Sequence, residues 1–220
     1  MTPLGVVTTD SIFSTILYNY DLEGIAIGPD DKIYFVHPDL HSIWVYDPSN
    51  SNVHLLSGST FLAGSSDGDA DTAKFHFPAS IAVDALGNVY VGDGYYTIRK
   101  LTRNGTGPVY TYTTSTIAGL YNTPGNADGI GSSARFGQIF GLCVNPNTGD
   151  IYIADTSDTI RKIDKDGVVT TISGLAGHPG AFDGYIQDAR FNTPYGINSD
   201  SSGNLFIADT GNSTIRLLHW

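Results

Sequence analysis

Hydrophobic positions in this chain come in short runs, each stopped by Gly, Asn, Asp or Pro. From Gly141 onward they read GLCVN, DIYIAD, TIRKID and VVTTISG. Alternating or apolar runs of this length, with turn residues between them, predict antiparallel strands joined by tight turns. The succession then returns along the chain. SDGDADTAKFHFPASIAVDALGNVYVGDGYYTIRKL starts at Ser66, ADGIGSSARFGQIFGLCVNPNTGDIYIADTSDTIRKI at Ala127 and FDGYIQDARFNTPYGINSDSSGNLFIADTGNSTIRLL at Phe182. A looser copy, LEGIAIGPDDKIYFVHPDLHSIWVYD, starts at Leu22, and the equivalent positions Ile25, Ile81, Leu142 and Ile197 lie 56, 61 and 55 residues apart.

Four strands per unit at a fixed period predict an all-β chain, a β-propeller of four four-stranded antiparallel blades. The blades fall at approximately 22–58, 76–119, 137–174 and 192–220, the last completed by 5–10, within a single domain spanning 1–220. The string DG-x5-ARF followed by GI-x-VD-x-x-GN-x-YVAD and IRK resembles the NHL-repeat family of propellers, strongly in three units and loosely in the first. The resemblance implies the fold; because that family includes binding domains, scaffolds and some enzymes, it implies no single activity.

The last unit stops at Leu217-Leu218-His219-Trp220, where a third strand ends. Gly5-Val6-Val7-Thr8-Thr9 repeats Gly167-Val168-Val169-Thr170-Thr171, the start of a fourth strand. The expectation is that the N-terminal strand completes the last blade and closes an open edge. Two alternatives stand beside it: the chain is a piece of a longer array, or the strand is shared with a neighbouring chain.

Composition narrows the function. The 220 residues include 26 Gly, 10 Pro and 13 Tyr, which suits many strands and turns. A net charge of −11 without a Lys/Arg cluster argues against nucleic acid as a partner. No apolar run is long enough to predict a transmembrane helix, so membrane insertion is not expected. The N-terminus shows no basic segment followed by an apolar stretch, so no signal peptide is visible. The single Cys143 lies in the apolar FGLCVNP and is expected to be a buried, inert thiol.

Candidate chemistry is of several kinds. Asp67, Asp69 and Asp71 alternate in SSDGDADT, a spacing able to offer oxygen ligands to Ca²⁺, although Asp128 and Asp183, the equivalents of Asp67, have no such followers. Asp67, Asp128 and Asp183 precede Lys74, Arg135 and Arg190 by seven residues. Asp93, Asp155 and Asp209 precede Arg99, Arg161 and Arg216 by six or seven. Acids and bases recurring together in each unit predict structural ion pairs between strands or blades. In the first unit His37 stands for the aspartate and Trp44 for the arginine, with His41 and Tyr46 nearby, either as a ligand patch or as the joint loss of one ion pair. Tyr95 and Tyr96 replace smaller residues of the sister blades, and with Tyr121 they offer anchors of large contact area.

The sequons at Asn104 and Asn212 are candidate glycosylation sites and tilt localisation toward the extracellular space or cell surface. Thr106–Gly119, rich in Thr and Tyr, is expected to be an outer edge through which the chain could self-associate. The histidines do not recur at equivalent positions, and no catalytic motif is present, so catalytic residues, cofactors and a metal site are not expected. The sequence therefore points to a non-enzymatic propeller presenting loops and edges to protein or glycan partners, as a scaffold or as a building block of an extracellular assembly. The competing expectation is a metal-dependent lyase or hydrolase with its site on the propeller axis.

Overall fold

A computed structural model describes residues 21–105 and 110–220. The chain is an all-β propeller of four antiparallel blades. Blade 1 comprises β1 (Ile25–Ile27), β2 (Ile33–His37), β3 (Ser42–Asp47) and β4 (Asn52–Gly58). Blade 2 comprises β5 (Gly68–Asp69), β6 (Ser80–Val83), β7 (Val89–Asp93), β8 (Thr97–Asn104) and β9 (Thr111–Gly119). Blade 3 comprises β10 (Gly129–Ile130), β11 (Ile139–Val144), β12 (Ile151–Asp155), β13 (Thr159–Ile163) and β14 (Val168–Gly174). Among the described residues blade 4 has three strands, β15 (Pro194–Ser199), β16 (Leu205–Asp209) and β17 (Thr214–Leu218). The segment 5–10, expected to supply its fourth strand, lies outside the described residues.

Local chemistry explains the turns. In DALGN the Asp84 carboxylate accepts from the Leu86 and Asn88 amides, both at 2.9 Å, and Asp200 in DSSGN repeats this with Ser202 and Asn204. Gly87 and Gly203 occupy the left-handed φ these turns require, at 82° and 87°. Alternation along the strands then gives every blade two apolar faces. One face of blade 1 (Tyr34, Val36, Ile43, Val45) packs on blade 2 (Ile81, Val89, Val91, Leu101). The opposite face of blade 2 packs on blade 3, and that of blade 3 on blade 4. These three interfaces make up most of the core, and a smaller cluster around Phe35, Leu40 and Tyr46 lies on blade 1.

The recurring ion pairs are present, with one correction. Arg99 and Arg161 are fully buried, and with Arg216 they each bridge two aspartates. Arg99 binds Asp93 at 2.8 Å and Asp67 at 2.9 Å; Arg161 binds Asp155 at 3.0 Å and Asp128 at 2.8 Å; Arg216 binds Asp209 at 2.9 Å and Asp183 at 2.6 Å. Each guanidinium also covers a phenyl ring, Phe75, Phe136 or Phe191, at 4.9–5.1 Å. The aspartates that open each unit therefore do not pair with the base seven residues on. Arg135 and Arg190 donate instead to nearby backbone carbonyls, because their side chains stay on the entering loop while the third-strand arginine reaches across it.

The Thr106–Gly119 edge also differs from expectation. The strand begins at Thr111, and β5 pairs with its outer side at Thr113 and Thr114. Tyr112 and Thr114 are buried, with Tyr112 in the core between blades 1 and 2. Its phenol donates to the Gly87 carbonyl at 3.1 Å. Packing of blade 1 on this face makes Tyr112 interior.

Candidate functional site

The end of the propeller that carries the β2–β3, β7–β8 and β12–β13 loops also carries the connections from blade to blade, because each first strand starts beside the end of its second strand. Aromatic residues from both kinds of loop meet there. His41 packs edge-on against Phe77 at 4.8 Å and stacks on His76 at 5.8 Å. His76 contacts Tyr121 at 5.6 Å, and Phe77 stacks near Tyr95 at 6.4 Å. Tyr95 touches both Tyr96, at 6.2 Å, and Phe140, at 5.8 Å. Phe140 stacks on Tyr195 at 4.1 Å with the ring planes 7° apart. One row of rings thus crosses all four blades.

The backbone holds this row in costly conformations. His41, Phe77 and Tyr95 adopt left-handed φ values of 52°, 50° and 68°. Bulky residues pay for that region and occupy it only where the surroundings over-determine it. Here they do: the Phe77 amide donates to His41 Nδ1 at 3.3 Å, the Gly94 amide to the His76 carbonyl at 2.7 Å and the Ile139 amide to the Tyr95 carbonyl at 3.0 Å. His41, His76, Phe77, Tyr95, Tyr96 and Phe140 are half-buried, while Tyr121 and Tyr195 are exposed.

Carboxylates border the row at blade 1. Burial, then Asp21 and Asp39, raise the Glu23 pKa above its ordinary value. Glu23 in turn helps burial raise the Tyr195 phenol. None of the ion pairs among the described residues involves Asp21, Glu23 or Asp39. Burial and the neighbouring His76 lower the His41 pKa, keeping Nδ1 available as the acceptor for Phe77. The arrangement offers flat apolar faces beside hydrogen-bond acceptors.

Of the sequence-predicted binding residues, His41, Tyr95, Tyr96 and Tyr121 are in this row. His37 and Trp44 are not. His37 is buried, its Nδ1 accepting from the Leu40 amide at 3.3 Å, and Trp44 donates to Ser42 Oγ at 2.9 Å within a cluster with Phe35, Leu40 and Tyr46. Sequence reasoning missed His76, Phe77, Phe140 and Tyr195. Their signal was an aromatic just before or at the start of the inner strand in blades 2, 3 and 4, visible only after the blades are aligned.

Asp67, Asp69 and Asp71 do not converge. Asp67 accepts from Arg99 and from Thr116 Oγ1 at 2.9 Å, Asp69 accepts from Thr113 Oγ1 at 3.3 Å, and Asp71 is exposed. The central space of about 500 Å³ is lined by side chains of β1, β6, β11 and β15, chiefly Ile25, Ile27, Ile81, Val83, Leu142 and Val144. Among the described residues no three His, Cys, Asp or Glu side chains gather to hold a metal ion. A metal on the axis would find hydrocarbon there, so these residues do not fit it. No helix of the described residues is long and apolar enough to cross a membrane.

Asn104 is exposed, its Nδ2 donating to Thr113 Oγ1 at 2.8 Å. Asn212 is half-buried and its Nδ2 is doubly engaged, at 2.7 Å with the Gly180 carbonyl and at 2.8 Å with Asp209.

Fold and site together define a β-propeller with an aromatic, acid-bordered end. No family model matches the chain. It is similar to Protein SUPPRESSOR OF QUENCHING 1, chloroplastic, of Arabidopsis thaliana, 28% identical over 202 residues that cover 86% of this chain and 18% of that protein. It is also similar to NHL repeat-containing protein 2 of Bos taurus, 30% identical over 97 residues, 43% of this chain and 13% of that one. The chain thus spans less than a fifth of these relatives. Among solved structures, an auxiliary nutrient binding protein from Bacteroides thetaiotaomicron matches with a TM-score of 0.72 at 23% identity, over 90% of this chain and 48% of that one. A streptogramin B lyase matches at 0.56 and 16% identity, over 90% and 53%. These likenesses show the fold.

Proposed function

We propose that this chain is a non-enzymatic binding propeller of the NHL-repeat class whose aromatic end takes a glycan. The observation that carries the reading is the row of rings from His41 to Tyr195, bordered by Asp21, Glu23 and Asp39. Sugar rings present C–H faces that stack on aromatic planes and hydroxyls that donate to carboxylates. A ligand site of this kind needs apolar faces with a few convergent polar groups, which this end supplies. The name of the auxiliary nutrient binding protein supports a binding role. The NHL class rests on the repeated DG-x5-ARF and IRK strings and on the partial likeness to the bovine relative. An extracellular or cell-surface setting fits the acidic surface and the exposed Asn104 sequon.

A glycan array probed with the labelled chain tests the reading, followed by titration calorimetry of the best ligand. Tyr195→Ala and Phe140→Ala should each weaken binding at least tenfold, with melting temperature little changed. Absence of any glycan ligand, or affinities indifferent to both substitutions, would overturn it.

A further inference from the structure

The four inner strands reach the aromatic end in register. Glu23, Ala79, Phe140 and Tyr195 each stand two residues before the equivalent Ile25, Ile81, Leu142 and Ile197, which line the central space. Neighbouring strands touch at this level. A Cβ on Gly24 would lie 3.0 Å from the Ser80 Cα, and one on Gly141 would run into the Tyr195 carbonyl. The mouth of the axis is therefore ringed by a carboxylate, a methyl group and two aromatic rings.

Phe140 and Tyr195 both sit on β-bulges. β11 shifts register on β12 between Ile139 and Gly141, and β15 shifts on β16 between Pro194 and Gly196. A bulge leaves its extra residue out of the ladder and re-aims the side chain. The two rings stack at 4.1 Å, which covers one face of each, yet Tyr195 stays 43% exposed. Burial does not account for the second bulge, because it delivers its ring to solvent.

Charge at the mouth has one sign. Glu23 belongs to no ion pair among the described residues. Asp21 and Asp39 add to the burial that raises its pKa, and its charge is felt at Tyr195, across from blade 1 on blade 4. The loops 38–41, 94–96, 156–158 and 210–213, all at this end, contain no Lys or Arg. Below the mouth the central space is hydrocarbon, so a ligand's charge has to stop at the rim. There a carboxylate and aromatic faces both favour a cation.

We propose that the axis mouth is a subsite for a protonated amino group, that the glycan bound at this end carries an unacetylated amino sugar, and that Glu23 decides this specificity. The inference rests on the glycan reading above. The sugar stacks on the open face of Tyr195, and its ammonium group donates to Glu23. An N-acetyl group in that place leaves the carboxylate without its cation, and a uronic acid meets it with like charge.

The test is an array of matched oligosaccharides with free or N-acetylated amino groups, followed by calorimetry with the glucosamine and N-acetylglucosamine tetramers. The free-amino member should bind at least tenfold tighter. Glu23→Gln should bring the pair within twofold of each other, whereas Tyr195→Ala should weaken both. Glu23→Gln removes one of several like charges and should not lower the melting temperature. Glycan binding without that preference, or a preference that survives Glu23→Gln, would overturn the subsite and leave the glycan reading standing. Absence of all glycan binding would overturn the glycan reading, and methylammonium chloride then decides the subsite alone. It should shift the Tyr195 ring resonances of the parent chain but not of Glu23→Gln, with sodium chloride as the control; no difference would overturn the subsite too. A lysine hexapeptide bound more tightly than any amino sugar would overturn the assignment to a sugar.

Discussion

Arg99 and Asp93 meet at 2.8 Å with neither side chain reaching solvent. Burial pushes the Asp93 carboxyl up to about 7, against the opposing pull of Arg99 and of the His76 amide. The same hub recurs at Arg161 and Asp155, where burial again raises the carboxyl. Such a hub holds its charges against desolvation because both terminal nitrogens of the guanidinium have acceptors: besides the two aspartates they donate to the carbonyls of Lys74 and Ser66, and only the buried Nε lacks a partner. It ties the loop that enters blade 2, 3 or 4 to the second and third strands of that blade.

Removing one member should therefore cost far more than the net worth of the pair. Arg161→Met leaves Asp155 buried without its cation, an expected loss of about 3–5 kcal/mol. Asp155→Asn combined with Arg161→Met should be less destabilised than the two single losses added together. Urea denaturation of the four chains of this cycle measures the coupling.

Acidification should weaken the fold through histidines. His37, His41 and His54 all have pKa values lowered by burial. Through these groups the unfolded chain binds more protons than the folded one just below about pH 6.5, while the raised carboxyls of Asp93, Asp155 and Glu23 act with the opposite sign. The histidine contribution is thus fully present above that pH and is lost as pH falls through the folded values. Between about pH 6.5 and 5 the melting temperature of the His41→Gln chain should fall less, or rise more, than that of the parent chain. Thermal scans of both chains against pH decide it; identical slopes would show that the neutral His41 imidazole is unimportant.

The glycines that end the fourth strands should not tolerate a methyl group. A Cβ on Gly174 would run into the Asp158 carbonyl, and its φ is 88°. Gly177, with a φ of 70°, has nothing within 4 Å. Gly177→Ala should cost about 1 kcal/mol, from backbone conformation alone, and Gly174→Ala clearly more, since the strand must also move. Paired denaturation curves compare the two.

Secretory expression should glycosylate Asn104 and leave Asn212 bare. Both amide hydrogens of Asn212 are used inside blade 4, and Asn104 stands at the exposed end of β8. Peptide mass spectrometry reads occupancy at each site, and the reverse pattern would contradict the geometry.

Periodicity alone determined the all-β propeller, the four strand runs of the unit from Gly141 and the pairing of Asp93, Asp155 and Asp209 with their arginines. Such features depend on alternation and on chemistry repeated at fixed spacing, both of which are local in the chain. Tertiary packing decided the rest. Asp67, Asp128 and Asp183 are joined to arginines 32 or 33 residues away rather than seven, because the entering loop folds back over the third strand. Tyr112 became core when blade 1 packed on its face. The row from His41 to Tyr195 gathers rings from all four blades, most of them from blade 2, and no local pattern records that the turn of one blade lies beside the connection to the next. Only the stacking of blades around a common centre brings them together.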